Sequence, residues 1–218
     1  MDHVQYAIQQ GLLSTRRTPR IVDASLDAAA AGPITVRLPH RRESGLLAVN
    51  VMFSGTASAP TLLTGFTSLA AAITNLGGRV AFRFLDGTEP ATYSTNATGN
   101  PALASVTLTI AGCVAARAPT AGTFATVAAG AVAADPPSLA AVAPFGSPLW
   151  LSCLGMSVQQ NETGAPAGFS SRNRFAASIV GVSTVVVAEN FPLGTVDPSA
   201  WSFAAAAAAA NTICVRGA

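Results

Sequence analysis

Residues 44–85, SGLLAVNVMFSGTASAPTLLTGFTSLAAAITNLGGRVAFRFL, decide the fold, because residues 147–188, SPLWLSCLGMSVQQNETGAPAGFSSRNRFAASIVGVSTVVVA, repeat their pattern 103 positions later. At that offset Leu46 meets Leu149, Ser54 meets Ser157, Gly65-Phe66 meets Gly168-Phe169, and residues 80–85 meet 183–188. Six of the 25 positions from 44 to 68 are identical at this spacing, enough to predict two similar strand sets closing on one core.

Working outward, the hydrophobic period is two. Ile34, Val36 and Leu38 share one face of a strand, Leu47, Val49, Val51 and Phe53 one face of the next, and Val80, Phe82 and Phe84 one face of a third. Gly77-Gly78 and Asp86-Gly87 are turn signals on either side of that third strand. Residues 105–110 alternate again and end the first half. Residues 68–73 have helical propensity but lie between strands, and their counterpart 171–179 favours a strand for both. A low-complexity Ala, Thr, Gly and Pro segment, residues 117–144, joins the halves and holds weak strands near 123–127 and 138–142. The second half then replays the first through residues 149–156, 169–180 and 184–188. Residues 204–210 are all Ala; seven residues are under two helical turns, so a closing strand over residues 208–216 is expected.

The fold class is therefore all-β: a jelly-roll-like antiparallel sandwich over residues 33–218, with halves at about 33–115 and 135–218 and an N-terminal arm at 1–32. In the arm, residues 4–10 read as a short helix ended by Gly11, ahead of the basic segment with Arg16, Arg17 and Arg20. The functional reading of the arm is docking onto a partner; the plain alternative is a frayed terminus.

Composition narrows the function. Half the chain is apolar and only 10% is charged, so the surface is covered by Ala, Ser, Thr and Gly, which suits packing against neighbours as well as it suits a biased coding background. All twelve basic residues are Arg, and six (Arg16, Arg17, Arg20, Arg37, Arg41 and Arg42) lie in the first 42 positions, leaving a remainder with too thin a basic surface for a nucleic-acid binder. Cys113, Cys153 and Cys214 are far apart with no CxxC or Cys/His cluster, which reads as three buried free thiols and no metal. Two histidines, His3 and His40, no GxSxG elbow, no P-loop and sparse acids leave no catalytic constellation, so the expectation is a non-enzyme without cofactor. Asp86 and Glu189 align at the offset and read as equivalent turn residues rather than a glycosidase pair. Trp150 and Trp201 read as core plugs rather than a sugar platform. No signal peptide opens the chain and no apolar run is long enough to span a bilayer, which reads as a soluble protein without membrane insertion.

The sequence resembles a β-sandwich module of virion-surface proteins in tailed bacteriophages and phage-like particles. The residues that carry the resemblance are 34–39, Gly45-Leu46-Leu47-Ala48-Val49, Gly65-Phe66, Asp86-Gly87-Thr88-Glu89-Pro90-Ala91-Thr92-Tyr93, 105–112 and Ser147-Pro148-Leu149; the segment from Asp86 to Tyr93 is the most distinctive. The sequence departs from the module in its arm and in the long Ala run. The resemblance implies a structural virion component: a head decoration or head-spike protein, or alternatively a tail or baseplate fibre module reading host-surface carbohydrate through loops 54–60 and 159–166. Its partners would be other capsid or tail proteins and copies of itself, a trimer among the options. It would be made in the bacterial host cytoplasm and sit on the virion surface. Under that reading Arg16, Arg17, Arg20, Arg41 and Arg42 are the expected docking residues, through acidic or backbone groups of the particle.

Overall fold

The computed structural model describes residues 18–113, 117–140, 148–169, 173–190 and 194–217. Alternating apolar residues with turn residues between them produce an almost entirely β chain, as the period of two requires. The first half supplies β1 (Arg20–Ala29), β2 (Ile34–Arg37), β3 (Leu47–Ser54), β4 (Thr67–Thr74), β5 (Leu76–Phe84), β6 (Thr92–Thr95) and β7 (Leu103–Ala111). The second supplies β8 (Thr120–Ala121), β9 (Ala125–Ala134), β10 (Leu139–Ala140), β11 (Leu149–Met156), β12 (Glu162–Gly164), β13 (Arg174–Ile179), β14 (Val182–Asn190), β15 (Thr195–Val196) and β16 (Trp201–Val215).

The repeat is realised as topology. One sheet runs β1-β7-β3-β5-β4, and the other places β16, β11, β14 and β13 in the same relative order as β7, β3, β5 and β4, with β9 on the outer side of β16 as β1 is on that of β7. Each half adds a two-stranded piece, β2-β6 and β10-β15. All these pairs are antiparallel. The large sheets stack with β1 across from β13 and β4 across from β8, so the two halves face each other in opposite order. Strands of the two halves are not interleaved as a jelly roll would have them; each large sheet is drawn from one half of the chain.

The registers refine the repeat. Leu47 pairs with Phe84 and Ile110 as Leu149 pairs with Asn190 and Val215, so Leu47, and not Leu46, is the counterpart of Leu149. That single step matters because a one-residue slip turns every side chain to the opposite face. By the same registers Val80 answers to Val186, and Glu189 lies within β14 opposite Trp150 while Asp86 lies in the turn after β5, so those two acids are not equivalent. Gly65-Phe66 and Gly168-Phe169 do correspond: each glycine has positive φ, each phenylalanine N–H closes a turn on the carbonyl three residues back, and each ring is buried.

The main core lies between the large sheets, where Leu47, Val49, Val51 and Phe53 of β3 meet Leu149, Leu151 and Cys153 of β11 and Val182, Val186 and Ala188 of β14. Phe53 is its centre. The Cβ of any residue larger than glycine at position 155 would lie 2.2 Å from the Phe53 ring, and at position 78 within 2.8 Å, while Phe124 meets the ring edge-on at 5.6 Å. Thr184 Oγ1 donates to the Ala104 carbonyl at 2.8 Å and ties one sheet to the other beside this contact. A second cluster covers the outside of the first sheet, with Ile34, Val36, Met52, Phe66 and Tyr93, and a third covers the outside of the second with Trp150, Phe169, Trp201 and Phe203. Both tryptophans are fully buried, and Trp201 Nε1 donates to Ser152 Oγ at 3.0 Å.

Two boundaries change. The expected arm to residue 32 is too long: Arg20–Ala29 is a full edge strand paired with β7, where Ile21 and Ala24 sit opposite Ile110 and Leu108 and pack against the core. Residues 4–10, Arg16 and Arg17 lie outside the described residues. The closing strand is also longer than expected. Trp201–Val215 is one strand through the whole Ala run, since β9 and β11 flank its second part and β9 and β12 its first, and pairing on both sides overrides the helical propensity of Ala.

Replacing Phe53 with Ala is expected to cost about 3–5 kcal/mol by emptying the slot, and Gly155→Val about 1–3 kcal/mol by overfilling it. Chemical denaturation of the two variants checks both, each as a lower midpoint with an unchanged slope.

Candidate docking surface

The most distinctive segment, from Asp86 to Tyr93, is built as scaffold. Chain reversal after β5 leaves the N–H groups of Asp86 and Gly87 without strand partners, and the Glu89 carboxylate accepts both, at 2.8 and 3.0 Å. The Glu89 side chain is fully buried and also meets Arg83 Nε at 3.3 Å. Asp86 Oδ1 in turn accepts the Thr88 N–H at 2.8 Å, and the Thr88 hydrogen bonds hold the Asp86 carboxyl below the usual carboxylate range. At the far end of the segment the Tyr93 ring meets Phe66 edge-on at 5.6 Å, and burial pushes its phenol up. The Arg83 guanidinium lies against Gly65, where a Cβ would come within 2.4 Å of it. Gly65, Phe66, Arg83, Glu89 and Tyr93 are therefore one packed unit, and the two signatures that stand apart in sequence touch in space.

The arginines sort by what their guanidinium groups meet. Arg37 is held by Asp27, Arg83 by Glu89 and Arg174 by Glu162, while Arg79 and Arg117 donate to backbone carbonyls. Arg42 Nη1 lies 3.4 Å from the Glu89 carbonyl. Arg20 and Arg41 are exposed, and among the described residues their guanidinium groups have no acceptor. Of the five expected docking residues, Arg20, Arg41 and Arg42 are described, and the structure brings them to the same end of the first sheet. Arg20 opens β1 beside Ala111 of β7, and the Arg41 N–H donates to Asp23 Oδ2 of β1 at 3.1 Å.

This is also the end at which residues 1–17 join the fold. Thr18 packs on Gly112, whose positive φ and contact with the Thr18 carbonyl, 2.6 Å from where a Cβ would stand, exclude a larger residue. Thr18, Arg20, Ala111 and Gly112 line a depression of about 570 Å³. His40, Arg42, Glu43, Gly87, Thr88 and Glu89 line a shallower one of about 310 Å³ at the same end. The sequence did not single out Asp23, which tethers the arginine loop to β1; a lone acid in an alternating strand carries no such signal.

Loops 54–60 and 159–166 follow β3 and β11 and emerge at the opposite end, where a Cβ on Gly55 would come 2.7 Å from the Gly181 carbonyl. They are closed on their own polar groups. Ser54 Oγ donates to the Thr56 carbonyl at 2.9 Å, Ser58 Oγ accepts the Thr98 N–H, and Glu162 takes two hydrogen bonds from Arg174. Neither loop contains an aromatic residue.

Among the described residues, no group of three His, Cys, Asp or Glu side chains is placed to hold a metal ion, and no helix is long and apolar enough to cross a membrane. The three thiols are free and buried, and burial pushes Cys113 up to about 12, Cys214 up to about 11, and Cys153 up as well.

Glu89→Ala is expected to cost about 2–4 kcal/mol, since it strips two backbone donors and a guanidinium of their acceptor; thermal denaturation against wild type measures it. Near neutral pH the folded protein should resist an alkylating reagent, and all three cysteines should react once it is denatured, as mass spectrometry would count. No protein-family model, curated protein or solved structure matches the chain.

Proposed function

We propose that this protein is a structural component of a virion or phage-like particle, a head decoration or head-spike protein that docks through its N-terminal segment. One observation carries the reading: Arg20 and Arg41, exposed and without acceptors among the described residues, converge with Arg42 at the end of the sandwich where residues 1–17 join it. A planar guanidinium that no internal group satisfies is suited to carboxylates and backbone carbonyls of a partner, with geometry that Lys would not supply. The resemblance of the segment from Asp86 to Tyr93 to virion-surface modules supports the same reading, and the low charge of the chain, with only 10% of its residues Asp, Glu or Arg, suits close packing beside other subunits. The partners on this reading are capsid or tail proteins, and the place of action is the virion surface.

The alternative, a tail or baseplate fibre module for host carbohydrate, draws on loops 54–60 and 159–166, which follow β3 and β11 at the opposite end. A glycan array with binding abolished by substitutions in these loops would favour it.

Removal of residues 1–17 together with Arg20→Ala and Arg41→Ala is expected to lower incorporation into particles at least tenfold while the melting temperature stays unchanged. The truncation must stop at 17, because a cut at 31 would also remove β1. Added salt should weaken docking of the intact protein. Incorporation of the shortened, substituted protein at the wild-type level would overturn the proposal.

A further inference from the structure

We infer that the outer edge of β4, which among the described residues pairs only with β5, joins two copies of this chain, strand to strand, about a two-fold axis. The edges of the two large sheets differ in how they are guarded. On β1, Arg20, Asp23 and Asp27 and an irregularity between Ile21 and Asp23 block a regular partner. β9 bulges, with residues 128–130 set against Ala207 alone between its paired positions, and β13 opens on Arg174, which is bound to Glu162. These are the devices that keep sheet edges from pairing.

β4 has little of that protection. Its one irregularity falls between Ser68 and Ala70, and from Ala70 to Thr74 it pairs continuously with β5, so its outer edge is a regular row of backbone donors and acceptors. No charged residue or proline occurs anywhere in residues 61–78. Ile73 on this edge strand is 70% exposed, although such a side chain gains about 1.5–3 kcal/mol on full burial.

The row of backbone groups demands an extended strand as its occupant, and the side chains identify it as a second β4. Antiparallel pairing centred on Ala72 sets Ile73 of each copy on Ala71 of the other, on the outer face of the sheet, where Ala71 and Ile73 are both exposed. The largest exposed side chain then meets a small one twice, as an isologous contact requires. A strand without charge meets no repulsion from its own copy. The opposite edge, β1, carries two aspartates and an arginine and would place like charges against each other in many registers.

Sedimentation equilibrium of the full chain tests this without any particle, so its outcome is independent of the proposed virion role. Wild type is expected to show a monomer–dimer equilibrium, weakened at least tenfold by Ile73→Lys. Val180→Lys, on the other exposed hairpin and at a site 72% exposed, should leave it unchanged. The double variant Ala71→Cys, Ile73→Cys should form a disulfide-linked dimer on oxidation, since the native thiols are buried. Circular dichroism confirms that each variant is folded. A wild-type protein that stays monomeric at every concentration overturns the inference, whatever else the edge binds; so does an assembly that survives Ile73→Lys, or one that Val180→Lys breaks equally.

Discussion

The two halves of this protein are held in place by one aromatic ring in a slot without side chains. Phe53 crosses from the first sheet onto Gly155 of the second, with Gly78 beside it and Phe124 at its edge. The sheets can approach only because position 155 carries no Cβ, and the approach is what lets Val49, Val51, Leu151 and Val186 share one core. Thr184 fixes the same region with a hydrogen bond to the facing sheet, so polar and apolar contacts agree on one relative placement.

Around that contact the two similar halves differ by face. Their inner faces are alike in being mainly apolar, with Phe53 of one set against Gly155 of the other. Their outer faces differ. The first sheet has Asn50 there, donating to Ser105 and Thr107, under the small β2-β6 layer. The second buries Trp150, with Trp201 and Phe203 from its long last strand. The inner face is constrained by the partner sheet, whereas each outer face answers only to its own cover.

The same separation organises the ends of the molecule. At one end, β1, the loop after β2 and the Asp86 to Tyr93 turn are bound to each other through Asp23 and Glu89, which leaves Arg20 and Arg41 facing outward on a rigid base. At the other, the loops of the two halves close on their own hydrogen bonds. The first end thus combines a fixed frame with exposed guanidinium groups, the two features on which the proposed docking role rests.

By itself the sequence determined the all-β class, the division into two halves and the burial of Cys113, Cys153, Cys214, Trp150 and Trp201, because alternation and side-chain hydrophobicity are local properties. It misplaced by one residue the equivalence of Leu46 and Leu149, since conserved turn residues such as Gly65-Phe66 align the chain while loop lengths between them change strand register. It also took β1 for part of an arm and shortened β16. Whether a polar-rich segment pairs, or an alanine run extends, depends on which strands lie alongside, and only the tertiary structure supplies those neighbours. The arginines proposed for docking divide in the same way. Arginine clustering near the start of the chain was legible, but which guanidinium groups are taken up internally and which face outward was decided by Asp27, Glu89 and Glu162, partners set by the fold.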